Sequence, residues 1–266
     1  MIALEGALPF LWLPIWWFFM SDHPREAAWI SAGEKEFLEN TLKREAAEIE
    51  STETNSIFRG LSKAQVMVMV IINFLHNSAA YGCMAFLTEG LKGKGFGASQ
   101  YGILFAVPYA VTAVIMIINS WHSDKTHERR GHVAIVYTIS GLSLLASVML
   151  RNHFWMSYAF MCLAIPGPFA ALAPFWAIPT ESLPRNAMGW VIGLVNGVGN
   201  LGGYVGPLIV GHLKYAYGST ALPFNLLAIG LIMASMLAML LPKTRRPFPP
   251  EELPTFQVGA QTAPKP

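Results

Sequence analysis

Residues 193–207 read Gly193-Leu-Val-Asn196-Gly-Val-Gly-Asn200-Leu-Gly-Gly-Tyr-Val-Gly-Pro207, and Gly197-Val-Gly-Asn-Leu-Gly202 within them is a literal G-x-G-x-x-G. That spacing cradles a dinucleotide pyrophosphate where it follows a strand, opens a helix and is followed about 20 residues later by an acid that holds the ribose. None of that context is present. The glycines lie inside the apolar run Met188–His212, and Thr220, Ala221 and Leu222 occupy the place of the acid. The stretch therefore reads as a membrane helix thinned by glycine. The pairs 193/197, 199/203 and 202/206 have the small-xxx-small spacing that lets a second helix approach closely.

Composition agrees with a membrane setting. Of 266 residues, 53% are apolar and 13% charged, against roughly a quarter charged in soluble domains. A net charge of +2, with no basic cluster interleaved with aromatics, excludes nucleic acid as a partner. Cys83 and Cys162 both fall in apolar runs and read as small buried hydrophobes, with no metal site or cofactor expected.

A membrane-spanning helix needs about 20 mostly apolar residues. Seven stretches qualify: Ala3–Met20, Gln65–Leu87, Ser99–Asn119, Val133–Leu150, Trp155–Pro179, Met188–His212 and Ala221–Leu241. The first has Glu5 where a signal peptide carries Lys or Arg, so it reads as a permanent helix. The connections after the first, third and fifth stretches, with the tail, hold 14 of the 18 basic residues, while the other side has Lys92, Lys94, Arg151 and Lys214. The bias puts the C-terminus in the cytoplasm and the N-terminus outside. An external N-terminus without a cleavable signal suggests that the chain continues upstream.

Four segments follow: a membrane helix over 1–20, a cytoplasmic linker over 21–64, a six-helix bundle over 65–241 and a disordered proline-rich tail over 242–266. In the linker, Ser31-Ala-Gly-Glu34 has the form of a capping box. The helix it opens runs to about Glu50, with Phe37, Leu38, Leu42, Ala46 and Ile49 on one face and Glu39 and Lys43 paired on another. Ser51–Asn55 reads as a flexible link.

Ionisable groups at membrane depth cost roughly 2.5–3.5 kcal/mol at the centre, so each one marks a candidate site. His76 is the deep one, with Asn73, Asn77 and Tyr81 at helical spacing beside it. It is a candidate for proton coupling or anion contact, or else a neutral histidine satisfied by a neighbouring helix. Asn196 and Asn200, one turn apart, either face a ligand or hydrogen-bond between helices. Pro166-Gly-Pro168 and Pro174-Phe-Trp-Ala-Ile-Pro179 break the fifth helix, as helices beside transporter sites are broken. Trp176 and Phe175 are candidates to stack on a substrate or to anchor at the interface. The turn holding Asp124, Lys125, Glu128, Arg129 and Arg130 is dense enough in both charges to form ion pairs that lock helices in one conformational state.

Taken in chain order, these motifs resemble the anion:cation symporter branch of the major facilitator superfamily. Glu5-Gly-Ala-Leu-Pro9 resembles the E-G-x-P opening of the sixth helix with one residue added, and Asp22-His-Pro-Arg-Glu-Ala-Ala-Trp29 with Glu34 is similar to the segment that follows. Ser123-Asp-Lys-Thr-His-Glu-Arg-Arg-Gly-His132 resembles the S-D-R-x-x-E-R-R-x-H loop between helices eight and nine. Pro174–Pro179 and Gly193–Pro207 resemble helices ten and eleven. The pattern departs at Ser120, where the loop motif has Gly, at Lys125, which replaces Arg, and at Phe86-Leu-Thr-Glu-Gly90, which replaces an aromatic-Leu-Pro run.

The resemblance implies an all-α membrane protein: the last helix of an N-terminal bundle followed by the six-helix C-terminal bundle, with the first five of twelve helices missing. It implies proton-coupled symport of small organic anions, such as sugar acids, dicarboxylates or aromatic acids, by alternating access in the cell membrane. The missing N-terminal bundle would supply the charged groups that grip the anion and carry the proton. Asn73, His76, Asn77, Tyr81, Trp176, Asn196 and Asn200 would face the substrate cavity, and the fourth and seventh helices would face lipid. The alternative is a non-transporting scaffold or sensor built from a half-bundle. An enzyme is not expected, because no acid/base pair, activated nucleophile or metal cluster lies at membrane depth.

Overall fold

The computed structural model describes residues 2–27, 29–52, 61–92, 94–183 and 185–243, with side chains described except at 2–5, 8, 45–52 and 185–186. The tail beyond 243 and residues 53–55 of the expected link lie outside the described residues. The chain divides into two compact units, residues 1–57 and 58–266.

The first unit holds α1 (Ile2–Phe19), a single 3-10 turn (Pro24–Glu26) and α2 (Ala32–Thr52). The capping box at the start of α2 is formed. Glu34 N–H donates to Ser31 Oγ at 3.3 Å, and Glu34 Oε2 accepts from Ser31 N–H and Oγ–H, each at 2.9 Å. Glu39 and Lys43 stand 3.9 Å apart. Helix continues through Ser51 and Thr52, which the sequence reading places in a link. Leu38 and Leu42 are exposed, whereas the Ala46 and Ile49 side chains lie outside the described ones. The bonds from the Ser31 backbone and hydroxyl hold the Glu34 carboxyl below its ordinary value.

The second unit is helical throughout, with no strand among the described residues: α3 (Lys63–Leu91), α4 (Ala98–Thr126), α5 (Arg130–Met149), α6 (Phe154–Ala164), α7 (Pro166–Ala170), α8 (Leu172–Ser182), α9 (Arg185–Tyr217) and α10 (Ala221–Ala238). Among the described residues, five segments are long and apolar enough to cross a membrane: α3, α4, α5, α10 and the run Phe154–Ser182 that contains α6 to α8. The expectation of seven is thus met by five on length and composition. In α1 the apolar helix that registers is the shorter Pro9–Phe19. In α9, 33 residues long, glycines and asparagines dilute the apolar content.

Helix α3 packs against both α9 and α10, and α10 packs against α5. The α3–α9 contact is made by glycine. A Cβ at Gly206 would sit 2.6 Å from the Ser78 carbonyl oxygen, one at Gly202 would strike the Phe74 carbonyl, and one at Gly199 would strike Asn73. Gly193 and Gly197, by contrast, face open space. Close approach lets α3 side chains reach α9 carbonyls: Asn73 donates to Val195 O at 3.0 Å, Asn77 to Gly199 O at 3.3 Å and Ser78 to Gly202 O at 3.0 Å. Between α5 and α10, Ser235 donates to Ala134 O at 2.8 Å, and the Ser235 and Thr138 hydroxyls lie 2.7 Å apart. The outer faces of α5 (Ile135, Ile139, Leu142) and α10 (Leu226, Ile229, Met233, Met236) are exposed and apolar, the surface that lipid requires.

The prolines break the Phe154–Ser182 run where the sequence indicates. Pro168 and Pro174 have no N–H for the carbonyls four residues earlier, at Ala164 and Ala170. Both freed carbonyls find donors from other helices: Ser140 Oγ for Ala164, and Asn119 Nδ2 at 2.9 Å for Ala170. Gly167 admits α5, since a Cβ there would lie 2.7 Å from Val136 O.

Two outcomes are expected. Gly206→Ala should destabilise the detergent-solubilised protein by about 1–3 kcal/mol, because the added methyl meets backbone. Gly197→Ala should be neutral or stabilising by up to about 1 kcal/mol; thermal unfolding of both variants measures the contrast. In the first unit, Ser31→Ala should move the Glu34 titration only part of the way back toward the ordinary carboxylate range, as read by NMR, because the Ser31 backbone N–H, the larger cause, remains. Because the folded pKa is the lower one, this cap supports α2 fully above the unfolded value and is lost as pH falls through the folded one.

Candidate functional site

A cavity of about 660 Å³ lies among α3, α4, α7, α8 and α9. All seven side chains singled out from the sequence line it: Asn73, His76, Asn77 and Tyr81 from α3, Trp176 from α8, and Asn196 and Asn200 from α9. They converge because α3 and α9 lie close enough for their polar faces to share one edge, and because α8 brings Trp176 beside them.

The polar groups differ in what they have left to offer. Asn73 is buried and spends its amide N–H on Val195 O. Asn77 donates to Asn73 O at 3.0 Å as well as to Gly199 O. These two amides therefore hold helices together. Asn196 and Asn200 are exposed, and Asn200 Nδ2 donates to Asn196 Oδ1 at 3.2 Å. That single bond leaves the Asn196 amide hydrogens and Asn200 Oδ1 for a ligand. His76 is buried, with Nδ1 3.1 Å from the Tyr137 hydroxyl on α5.

Sequence reading missed the aromatic wall. Phe105 and Tyr109 on α4 and Phe169 on α7 line the cavity, with the Phe105 and Tyr109 rings 5.6 Å apart and Tyr109 edge-on to Phe169 at 6.2 Å. The spacing Tyr101, Phe105, Tyr109, one aromatic per turn, is the signal that could have found it. Phe175 is not part of the site: it is 1% exposed and packs in the bundle core, while its neighbour Trp176 faces the cavity. No Asp, Glu, Lys or Arg is among the described residues lining the cavity. It can offer amide and imidazole hydrogen bonds and ring faces, and no formal charge.

The charged turn between α4 and α5 forms a separate cluster. The Arg129 side chain is 8% exposed and donates to Glu181 Oε1 through Nη2 at 2.7 Å and Nε at 3.1 Å. Its Nη1 donates to Ser123 Oγ at 3.1 Å and to Asp124. Arg130 donates to Met239 O at 3.1 Å, at the end of α10. Glu128 caps α5 by accepting from Gly131 N–H at 2.8 Å, and its Oε2 lies 3.1 Å from His132 Nδ1. His132 Nε2 is in turn 2.6 Å from His122 Nδ1. The turn thus ties α4 and α5 to α8 and α10. Lys125 stands apart from these pairs, over the Trp121 ring at 5.2 Å.

Burial opposes the Arg129 charge, but the bonds and charges of Glu181 and Asp124 outweigh it and hold the guanidinium above its ordinary pKa. Glu181, absent from the sequence-derived cluster, is the partner that reaches across the fold. Its position two residues past Pro179, at the end of an otherwise uncharged run, was the available signal.

Residues 1–207 match the sequence model of the Major Facilitator Superfamily. The chain belongs to that superfamily, a family of multi-pass membrane transporters and not of enzymes. It is 29% identical over 227 residues to a protein of Agrobacterium vitis provisionally named a tartrate transporter, covering 85% of this chain and 52% of the relative. It is likewise 29% identical over 237 residues to a quinolone resistance transporter of Acinetobacter baumannii, covering 88% and 53%. To the inner membrane transport protein RhmT of Escherichia coli it is 27% identical over 241 residues, covering 89% and 54%. The chain spans about half the length of the curated relatives it matches.

Glu181→Gln should cost about 1–3 kcal/mol, because it leaves a buried guanidinium short of its countercharge. Asp124→Asn, whose carboxylate is 70% exposed, should cost under about 1 kcal/mol. Unfolding midpoints in detergent compare the two, and equal losses would show that the cross-helix pair carries no special weight.

Proposed function

We propose that the chain supplies the C-terminal side of the transport pathway in a proton-coupled symporter of small organic anions, working by alternating access. The observation that carries this reading is the uncharged cavity, whose polar groups suit the hydroxyl and carboxylate oxygens of a small acid and whose aromatic walls suit its carbon skeleton. An anion held there needs its charge answered from elsewhere, and on this reading a second helical bundle provides it, together with the proton-carrying groups. The lengths of the relatives and the name of the tartrate-transporter relative support both parts.

In this arrangement residues 65–241 form the C-terminal bundle and residues 1–20 the last helix of the N-terminal one, joined by the linker over 21–64. The C-terminus is cytoplasmic and the N-terminus external, as the Lys/Arg bias requires. The Arg129 cluster then lies at the cytoplasmic end. Its bonds among α4, α5, α8 and α10 suit a latch that holds one conformational state and yields in the other.

The test is uptake into proteoliposomes by the chain joined to the five preceding helices of the tartrate-transporter relative. Labelled tartrate or a sugar acid should accumulate under an inward proton gradient and stop when a protonophore collapses it. Uptake indifferent to the gradient removes proton coupling; no uptake of any organic acid, with correct membrane insertion, favours a scaffold. Asn200→Ala should raise the half-saturating substrate concentration by about 2- to 10-fold through loss of one hydrogen-bonding group.

A further inference from the structure

The bond between α5 and α3 at His76 does more than fill the core. Tyr137 is 1% exposed and packs among the apolar side chains of the bundle, outside the cavity lining. Its hydroxyl has one hydrogen-bond partner among the described residues, His76 Nδ1 at 3.1 Å. A buried hydroxyl hydrogen needs an acceptor, and here the available acceptor is that ring nitrogen. An imidazole that accepts at Nδ1 carries its proton on Nε2. The Nε2 atom has no partner among the described residues, and the one side-chain polar atom left both buried and unpartnered is Asn225 Oδ1, so Nε2 opens on the cavity that His76 lines.

We propose that Tyr137 is a positioning residue: its hydroxyl donates to His76 Nδ1 and holds the imidazole as a neutral Nε2–H donor aimed at an oxygen of the bound organic anion. This rests on the reading of the cavity as a substrate site. A doubly protonated ring would point an Nδ1–H at the hydroxyl and strip the Tyr137 hydrogen of its acceptor, so the pair favours the neutral form. His76 then selects ligands by a directed hydrogen bond, while the charge on the ligand is answered elsewhere. Asn196 and Asn200 present both donor and acceptor atoms; His76 presents a donor alone, and so distinguishes an acceptor oxygen from a donor group at that point of the cavity.

The measurement is long-range 1H–15N correlation NMR of the whole chain in bilayer nanodiscs, with ring-labelled histidine, at about pH 8, where an ordinary imidazole is neutral. Of the seven histidines, the signals lost in His76→Gln identify the ring. The expected result is an Nδ1 signal of the hydrogen-bonded acceptor type and a proton on Nε2. In Tyr137→Phe, which loses only the hydroxyl, the Nδ1 signal should move to that of an unbonded acceptor. A proton on Nδ1 in the unmodified chain, or signals that ignore Tyr137→Phe, overturns the proposal. The unmodified chain alone fixes the tautomer should the variant fail to fold. In the chain joined to the five preceding helices of the tartrate-transporter relative, which supply the charge that answers the anion, titration with tartrate should displace the Nε2–H signal, with a midpoint about fivefold higher in Tyr137→Phe. Ring signals as expected but unmoved by any organic acid would sink the substrate reading while leaving the Tyr137 assignment standing.

Discussion

The rest of the second unit depends on the approach of the α9 backbone to α3. In a medium without water each backbone carbonyl and each polar side chain needs a partner from the protein itself. Glycines at 199, 202 and 206 bring the two helices so close that Asn73, Asn77 and Ser78 reach carbonyls along α9. Each such bond is worth only about 0.6 kcal/mol on average in a membrane. Three of them in series, with backbone contact between, nonetheless fix one register. At the far end Lys214 on α9 meets Glu89 on α3 at 2.6 Å, which closes the same seam with an ion pair.

That register places the cavity. With the seam facing α3, the flank of α9 beside it carries Asn196 and Asn200 to the cavity, and Gly193 and Gly197 pack against nothing. Helices α7 and α8 add Phe169 and Trp176 to the cavity lining, and their prolines are tolerable there because Ser140 and Asn119 take up the carbonyls that Pro168 and Pro174 leave free. Within α8, Trp176 faces the cavity while its neighbour Phe175 is turned into the core. One set of hydrogen bonds thus serves both packing and site geometry.

At the other polar locus, charge does what glycine does in the seam. Arg129 is nearly enclosed and is matched by two carboxylates from different helices, so the α4–α5 turn is tied to the end of α8 through a bond that desolvation makes costly to leave half-made. Arg130 adds a tie to the carbonyls after α10.

Composition and hydrophobic run length determined that this is a helical membrane protein, because a bilayer imposes length and apolarity on each crossing residue by residue. Polar residues at depth, being costly, announced themselves, and the seven side chains named from the sequence line one cavity. Sequence also placed the helix breaks, since proline acts on its own backbone. What it could not decide was division of labour: that Asn73 and Asn77 are spent on α9 carbonyls while Asn196 and Asn200 stay available, that Trp176 and not Phe175 faces the cavity, and that Arg129 finds Glu181 52 residues away. Those outcomes rest on which atoms of distant helices come within about 3 Å. Local pattern fixes the face a residue occupies, and only the packed tertiary structure decides what stands opposite it.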